Sequence, residues 1–224
     1  MTQMTEEQMQ DSYVAQMGEE LGQLFHALEH DLTWIHWRWK QLRILFGDKP
    51  SRVDLLNQSA SFFFYLVQRV FFEDTLLGIA RLVSSEKSAG HEVLTIRRLE
   101  KLVSDQIRPE VSALIERTKD AAKFAVDYRN NLIAHRNLAL SLHRDDHTLP
   151  DATREQVEAA LGALRDVLNC VEGHYCHAHS VYDSPSPHDA EELLQVLRDG
   201  IARREERYAA WNRGENVPAP EGDI

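Results

Sequence analysis

Two cysteines in 224 residues, Cys170 and Cys176, are too few for a disulfide scaffold. Ten glycines and seven prolines fall well below average usage, which excludes collagen-like and low-complexity chains and points to long uninterrupted helices. The opening residues MTQMTEEQMQ have neither the basic start nor the apolar stretch of a secretory signal, so a cytoplasmic protein with reduced thiols is expected. Long apolar runs are missing too. The most hydrophobic stretch, Ala60 to Val83, is interrupted by Gln68, Arg69, Glu73, Asp74 and Arg81. Those charges are expensive in hydrocarbon, so the stretch reads as a buried helix of a bundle and not as a membrane span. Excess positive charge is also absent: the formal net charge of -11 argues against an indiscriminate polyanion binder. Residues 96–142, with nine Lys or Arg against six Asp or Glu, form the one net-basic stretch. A nucleic-acid site, if present, belongs there.

The elements that are present have helical spacing. Ile35, Trp39, Leu42 and Phe46 recur at i, i+4, i+7 and i+11 in a first helical region from Thr5 to Phe46, with a break expected near Asp31. Gly47 and Pro50 read as its stop, and Ser51 as the cap of a second long helix to Ser84. SSEKSAGHE is a loop by composition and Ile96 to Ser104 a short helix. Pro109 opens a long helix through Tyr128 and beyond, and HRDDHTLPDAT is the next linker. From Thr153 toward Tyr182, Val157, Ala160, Leu161, Leu164, Leu168 and Val171 share one face. DSPSPHD then breaks the chain before a last helix carrying Leu193, Leu194, Leu197 and Ile201. No strand alternation is found. The expectation is an all-α bundle over residues 1–182, a C-terminal helix over 183–213 and a disordered tail over 214–224.

One polar segment stands out within this apolar pattern: Tyr128-Arg129-Asn130-Asn131-Leu132-Ile133-Ala134-His135-Arg136-Asn137. On an ideal helix Tyr128, Asn131 and His135 lie within about 40° of one line, whereas Arg129 is about 120° from His135. A distorted helix end, or a second copy across a two-fold axis, would bring the two together. On the residues alone, His135 as a satisfied core histidine, with Arg129 and Arg136 pairing between helices, explains the segment as well.

An Arg, then a polar residue, then His a few positions on, late in a helical bundle, resembles the motif of the HEPN superfamily. Arg129, Asn130 and His135 match it, with Ala134 directly before the His. The layout from about residue 20 to 180 is similar to the AbiU2-like branch, associated with abortive phage infection. It includes the long aromatic-rich helix ending in Asp74-Thr-Leu-Leu-Gly-Ile-Ala-Arg-Leu82. The resemblance implies metal-independent RNA cleavage with no cofactor, on a site shared by a homodimer. Arg129 would fork onto the phosphate, Asn130 orient it, and His135 move the proton of the 2′-OH or of the leaving oxygen. Asn131, Arg136, Lys123 and Tyr128 are the expected RNA contacts. RNA, a second copy and an antitoxin protein are the expected partners, with no membrane. The alternative is a non-catalytic HEPN-like module that binds RNA or a protein.

Weaker features remain. Glu73 and Asp74 are candidates to orient the motif Arg, against a plain salt-bridged role. Trp34, Trp37 and Trp39 offer stacking surfaces if exposed, although aromatics at helical spacing are usually core. Cys170, His174 and His177, with Cys176 and His179 nearby, are metal-ligand types without the paired knuckles of a structural zinc site, so no metal is expected.

Overall fold

The computed structural model describes residues 5–47, 49–88, 90–134, 152–182 and 189–215. His135, Arg136, the linker before Asp151, the DSPSP break and residues 216–224 of the expected tail lie outside them. The described chain is all-α, with eight helices and one two-stranded hairpin. It divides into two units, residues 1–39 with 71–184 and residues 40–70 with 185–224.

In the first unit, α1 (Glu6–Met17) starts in a capping box: Gln8 N–H donates to Thr5 Oγ1 at 3.2 Å and Thr5 N–H to Gln8 Oε1 at 3.0 Å. The break expected near Asp31 falls instead at Gly18, whose φ of 85° favours glycine. Beyond it α2 (Glu19–Phe46) runs straight through Asp31. A Cβ on Gly22 would lie 2.6 Å from the Val14 backbone, so the α1–α2 corner needs glycine there as well.

Helix α3 (Pro50–Leu82) packs its last three turns against α2, and three contacts set the register. Asp31 pairs with Arg81 at 2.8 Å, Gly78 lies against Ile35, and Arg38 pairs with Asp74 at 2.7 Å. As the α2 number rises the α3 number falls by a matching step, the signature of antiparallel helices. A Cβ on Gly78 would be 2.7 Å from Ile35 Cδ1, so glycine permits the close approach.

After α3 the expected loop forms a short hairpin, β1 (Lys87–Ser88) with β2 (His91–Glu92), turned at Gly90 with φ 84°. Buried Thr95 ties it down by donating to Leu82 O and Ser84 O, both at 2.9 Å. A 3₁₀ turn (Ile96–Arg98) leads into α4 (Leu99–Leu102). The long helix expected from Pro109 is divided: α5 (Arg108–Ala121), α6 (Lys123–Tyr128), then a π-helical segment, Arg129–Ala134. Just before the α5–α6 junction the Thr118 hydroxyl bonds Leu114 O at 2.7 Å and Ala163 O at 3.2 Å. Such back-bonding bends helices.

Helix α7 (Arg154–Cys176) begins in a second capping box, Thr153 with Gln156, and packs along α5. It ends at Cys176, short of the expected Tyr182, because His177 turns left-handed at φ 51°. Asn169 and Glu172 replace the helical partners of the returning strand: Ser180 N–H donates to Asn169 Oδ1 at 3.1 Å and to Glu172 Oε2 at 2.6 Å. Tyr182 is buried and stacks on His36 with ring centres 5.2 Å apart. The predicted face of α7, from Val157 to Val171, is wholly buried.

The second unit combines the end of α2, the start of α3 and α8 (Asp189–Asn212) around Ile44, Leu45, Leu56, Phe64, Ala190 and Leu194. Arg52 Nη1 donates to Ile44 O at 2.7 Å near the end of α2. Helix α3 loses helical geometry at Ala60, and Arg204 Nη2 donates to Gln58 O at 2.9 Å beside the kink. The reading of Ala60 to Val83 as a buried helix holds only for its end. Leu76, Ile79, Ala80 and Leu82 are buried, but Phe62, Phe63, Tyr65, Leu66 and Val70 are exposed, because only one face of α3 is covered there. No described helix is long and apolar enough to cross a membrane.

Candidate functional site

Arg129 and Asn130 open the π-helical segment that ends the helical path from Arg108 to Ala134. Arg129 donates from Nε and Nη2 to Asn130 Oδ1, at 3.1 and 2.9 Å. That acceptor is neutral, and no described carboxylate pairs with this guanidinium. π-Helical turns are rare and recur at functional sites.

Two clefts of the first unit meet at Arg129 and Arg81. One, of about 510 Å³, lies over the α2–α3 contact. Asp31, Trp34 and Arg38 line it from α2 at i, i+3 and i+7, and Asp74, Gly78 and Arg81 from α3 at i, i+4 and i+7. Each spacing keeps its residues on one helix face. The other, of about 610 Å³, is bounded by Lys119 and Lys123 and by Ser84, Ser85 and Ser88 beside the hairpin. The charges around them are largely matched: Arg38 with Asp74, Arg81 with Asp31, and Lys119 with Glu116 at 2.8 Å. Asp120 adds a negative group to the second cleft, and Lys123 is exposed. A separate cleft in the second unit, lined by Arg52, Asp54, Glu191 and Arg198, contains no residue of the motif.

The expected site residues divide accordingly. Arg129, Asn130 and Lys123 come together, Asn130 through its bond to Arg129 and Lys123 along the second cleft. Asn131 turns back, donating from Nδ2 to Asp127 O at 2.8 Å. Tyr128 lies edge-on to Phe72 at 6.0 Å and borders a different hollow with Phe124 and Gln156. Of the acidic pair before the motif, Asp74 reaches the Arg129 cleft and pairs with Arg38. The three tryptophans separate: Trp39 is 6% exposed, whereas Trp34 is 46% exposed beside Arg129. Arg38 was not singled out in the sequence. Its signal was its place, one helical turn after Trp34.

The Cys170–His179 run forms no metal centre among the described residues. His174 Nε2 is 3.3 Å from Ser104 Oγ, and the Tyr175 hydroxyl accepts from Ser104 N–H at 2.8 Å. Burial pushes both the Cys170 and Cys176 thiols up, the opposite of a reactive thiolate.

No curated protein and no solved structure matches the chain. A family model described as AbiU2 matches residues 18–196, a span that takes in α2 through the start of α8 and with them both clefts and the motif. On that match, over most of its length, the chain belongs to the AbiU2 family of HEPN proteins.

Proposed function

We propose that this protein is a metal-independent HEPN endoribonuclease, acting in the cytoplasm as the toxin of a phage-defence or toxin–antitoxin system. The observation that carries the reading is how the arginines of the cleft are paired. Arg38 and Arg81 are each matched by an aspartate, while Arg129 is held by a neutral amide and so has no described counter-charge, which leaves it to pair with an anion. A guanidinium so held presents a planar fork to a phosphate. In this mechanism the 2′-oxygen attacks phosphorus as the bond to the 5′-oxygen breaks. His135 takes the 2′-OH proton or supplies one to the leaving oxygen, and Arg129 neutralises the charge building on the non-bridging oxygens. The products are a 2′,3′-cyclic phosphate and a 5′-hydroxyl. A homodimer brings two such motifs to one cleft, one histidine serving as base and the other as acid, and Arg136 adds positive charge beside them.

The test is cleavage of RNA by the purified protein in EDTA, with analysis of the ends. Arg129→Ala should lose about 10²–10³-fold in rate and His135→Ala about 10²–10⁴-fold, both remaining folded. Equal cleavage by wild type and variants, or dependence on a divalent metal, refutes the mechanism. Binding of RNA without cleavage by the wild type favours the non-catalytic module.

A further inference from the structure

The cleft over the α2–α3 contact has one aromatic wall. Trp34 is half exposed there, although it sits among buried neighbours such as Leu32 and Ile35. Its indole nitrogen is occupied, donating to His30 Nε2 at 2.9 Å, and the ring lies edge-to-face with Trp37 at 5.3 Å. These two contacts hold the indole while about half of the residue stays exposed. Arg129 enters the same cleft, and Arg81 links it to the lysine-bordered second cleft. The first cleft offers aromatic surface and the second ammonium groups, and both guanidinium groups line the two. At about 510 Å³ the first compartment suits one nucleotide-sized ligand.

We infer that Trp34 is a base-stacking platform for the nucleotide whose phosphate lies on Arg129, so that the protein selects single-stranded RNA. The inference rests on the proposed RNA-cleaving reading and adds a substrate class to it. A base inside a duplex is already stacked on both faces and offers none to an indole, whereas an unpaired base does. Asp31 and Asp74 flank the platform but are engaged by Arg81 and Arg38, so the repulsion they would exert on a phosphate is reduced. Stacking needs no particular base, which implies weak sequence preference at this position.

The test is binding of a fluorescein-labelled, single-stranded 2′-O-methyl RNA, which lacks the 2′-hydroxyl needed for cleavage, compared with its duplex. Wild type should bind the single strand more tightly than the duplex. Trp34→Ala should weaken single-strand binding by about 5–150-fold and leave duplex binding unchanged, and Trp34→Phe should restore most of the loss. A merely structural role would weaken both ligands together and would not spare one. Single-strand binding by Trp34→Ala at the wild-type level, or equal wild-type affinity for the two forms, overturns the inference. Cleavage by the wild type, measured in parallel on unmodified RNA, separates the two ideas. If cleavage is absent but Trp34-dependent single-strand binding is found, the catalytic reading falls and the platform stands.

Discussion

Replacing Gly78 with alanine drives a methyl group into the contact that sets the floor of the Arg129 cleft. The new Cβ would lie 2.7 Å from Ile35 Cδ1 and 2.8 Å from Ile35 Cγ1. Carbon atoms settle at about 3.5–4.0 Å, so the two helices must part by close to 1 Å or Ile35 must leave its rotamer. Ile35 is fully buried, so a new rotamer would have to displace packed neighbours. Overpacking of this kind costs about 1–3 kcal/mol, offset by about 1 kcal/mol from the better helix propensity of alanine. The single substitution is thus expected to destabilise by about 0–2 kcal/mol. The decisive quantity is its coupling to Ile35→Ala, which alone should cost about 2–5 kcal/mol. In the double variant the added methyl meets vacated space, so the clash is not incurred and the pair should be more stable than the sum by about 1–3 kcal/mol. Urea unfolding followed by tryptophan fluorescence measures this. Trp34, Trp37 and Trp39 belong to the unit that carries the substitutions and only Trp211 to the other. A coupling below about 0.5 kcal/mol would refute the close α2–α3 contact.

Two further outcomes follow from the same unit. Thr153→Ala removes the acceptor of Gln156 N–H at the start of α7 and should cost about 1 kcal/mol, read as a lower urea midpoint, while Thr153→Ser should be close to neutral. Burial, more than any neighbouring group, raises the Glu29 carboxyl above its ordinary range. The folded protein then binds the proton more tightly than the unfolded chain, so this group costs stability as pH rises from the ordinary carboxylate range through its folded value. Glu29→Gln should therefore raise the thermal midpoint more at pH 8 than at pH 4.5. An equal gain at both would show that the carboxyl is not held up by burial.

Much of the fold was legible because helices announce themselves locally. The face from Val157 to Val171 could be read at its period, and Thr5 and Thr153 each precede by three residues the glutamine that completes a capping box. The helix breaks were less legible. Nothing near Asp31 interrupts α2, since the polar residues there serve an ion pair with α3, whereas the isolated Gly18 ends a helix through its backbone angle alone. The division of the Pro109 helix comes just after Thr118, whose hydroxyl bonds Leu114 O one turn back and also Ala163 O on α7, a partner 45 positions away that no local pattern announces. Within the site, Arg129 and Asn130 were visible as polar residues in an apolar pattern, and Trp39 lies on the stripe of Ile35, Leu42 and Phe46 while Trp34 falls about 100° off it, but no spacing showed that Trp34 would share a cleft with Arg129.

The sequence by itself determined the all-α class, the buried face of α7, the starts of α1 and α7 near Thr5 and Thr153 and the AbiU2-like motif, whereas Ser51, read as the cap of α3, lies inside that helix, which begins at Pro50. The helical ones depend on spacings repeated within a single helix, and the motif on the order of residues along the chain. Tertiary structure alone decided that Trp34 shares a cleft with Arg129, that Arg38 and Arg81 are matched by aspartates, and that Arg129 is held by an amide at the edge of their cleft. Helical periodicity sets the angle of a side chain about its own axis. What stands at that angle depends on the register against another helix, and here that register is marked by the approach of Ile35 to Gly78 between the Asp31–Arg81 and Arg38–Asp74 pairs.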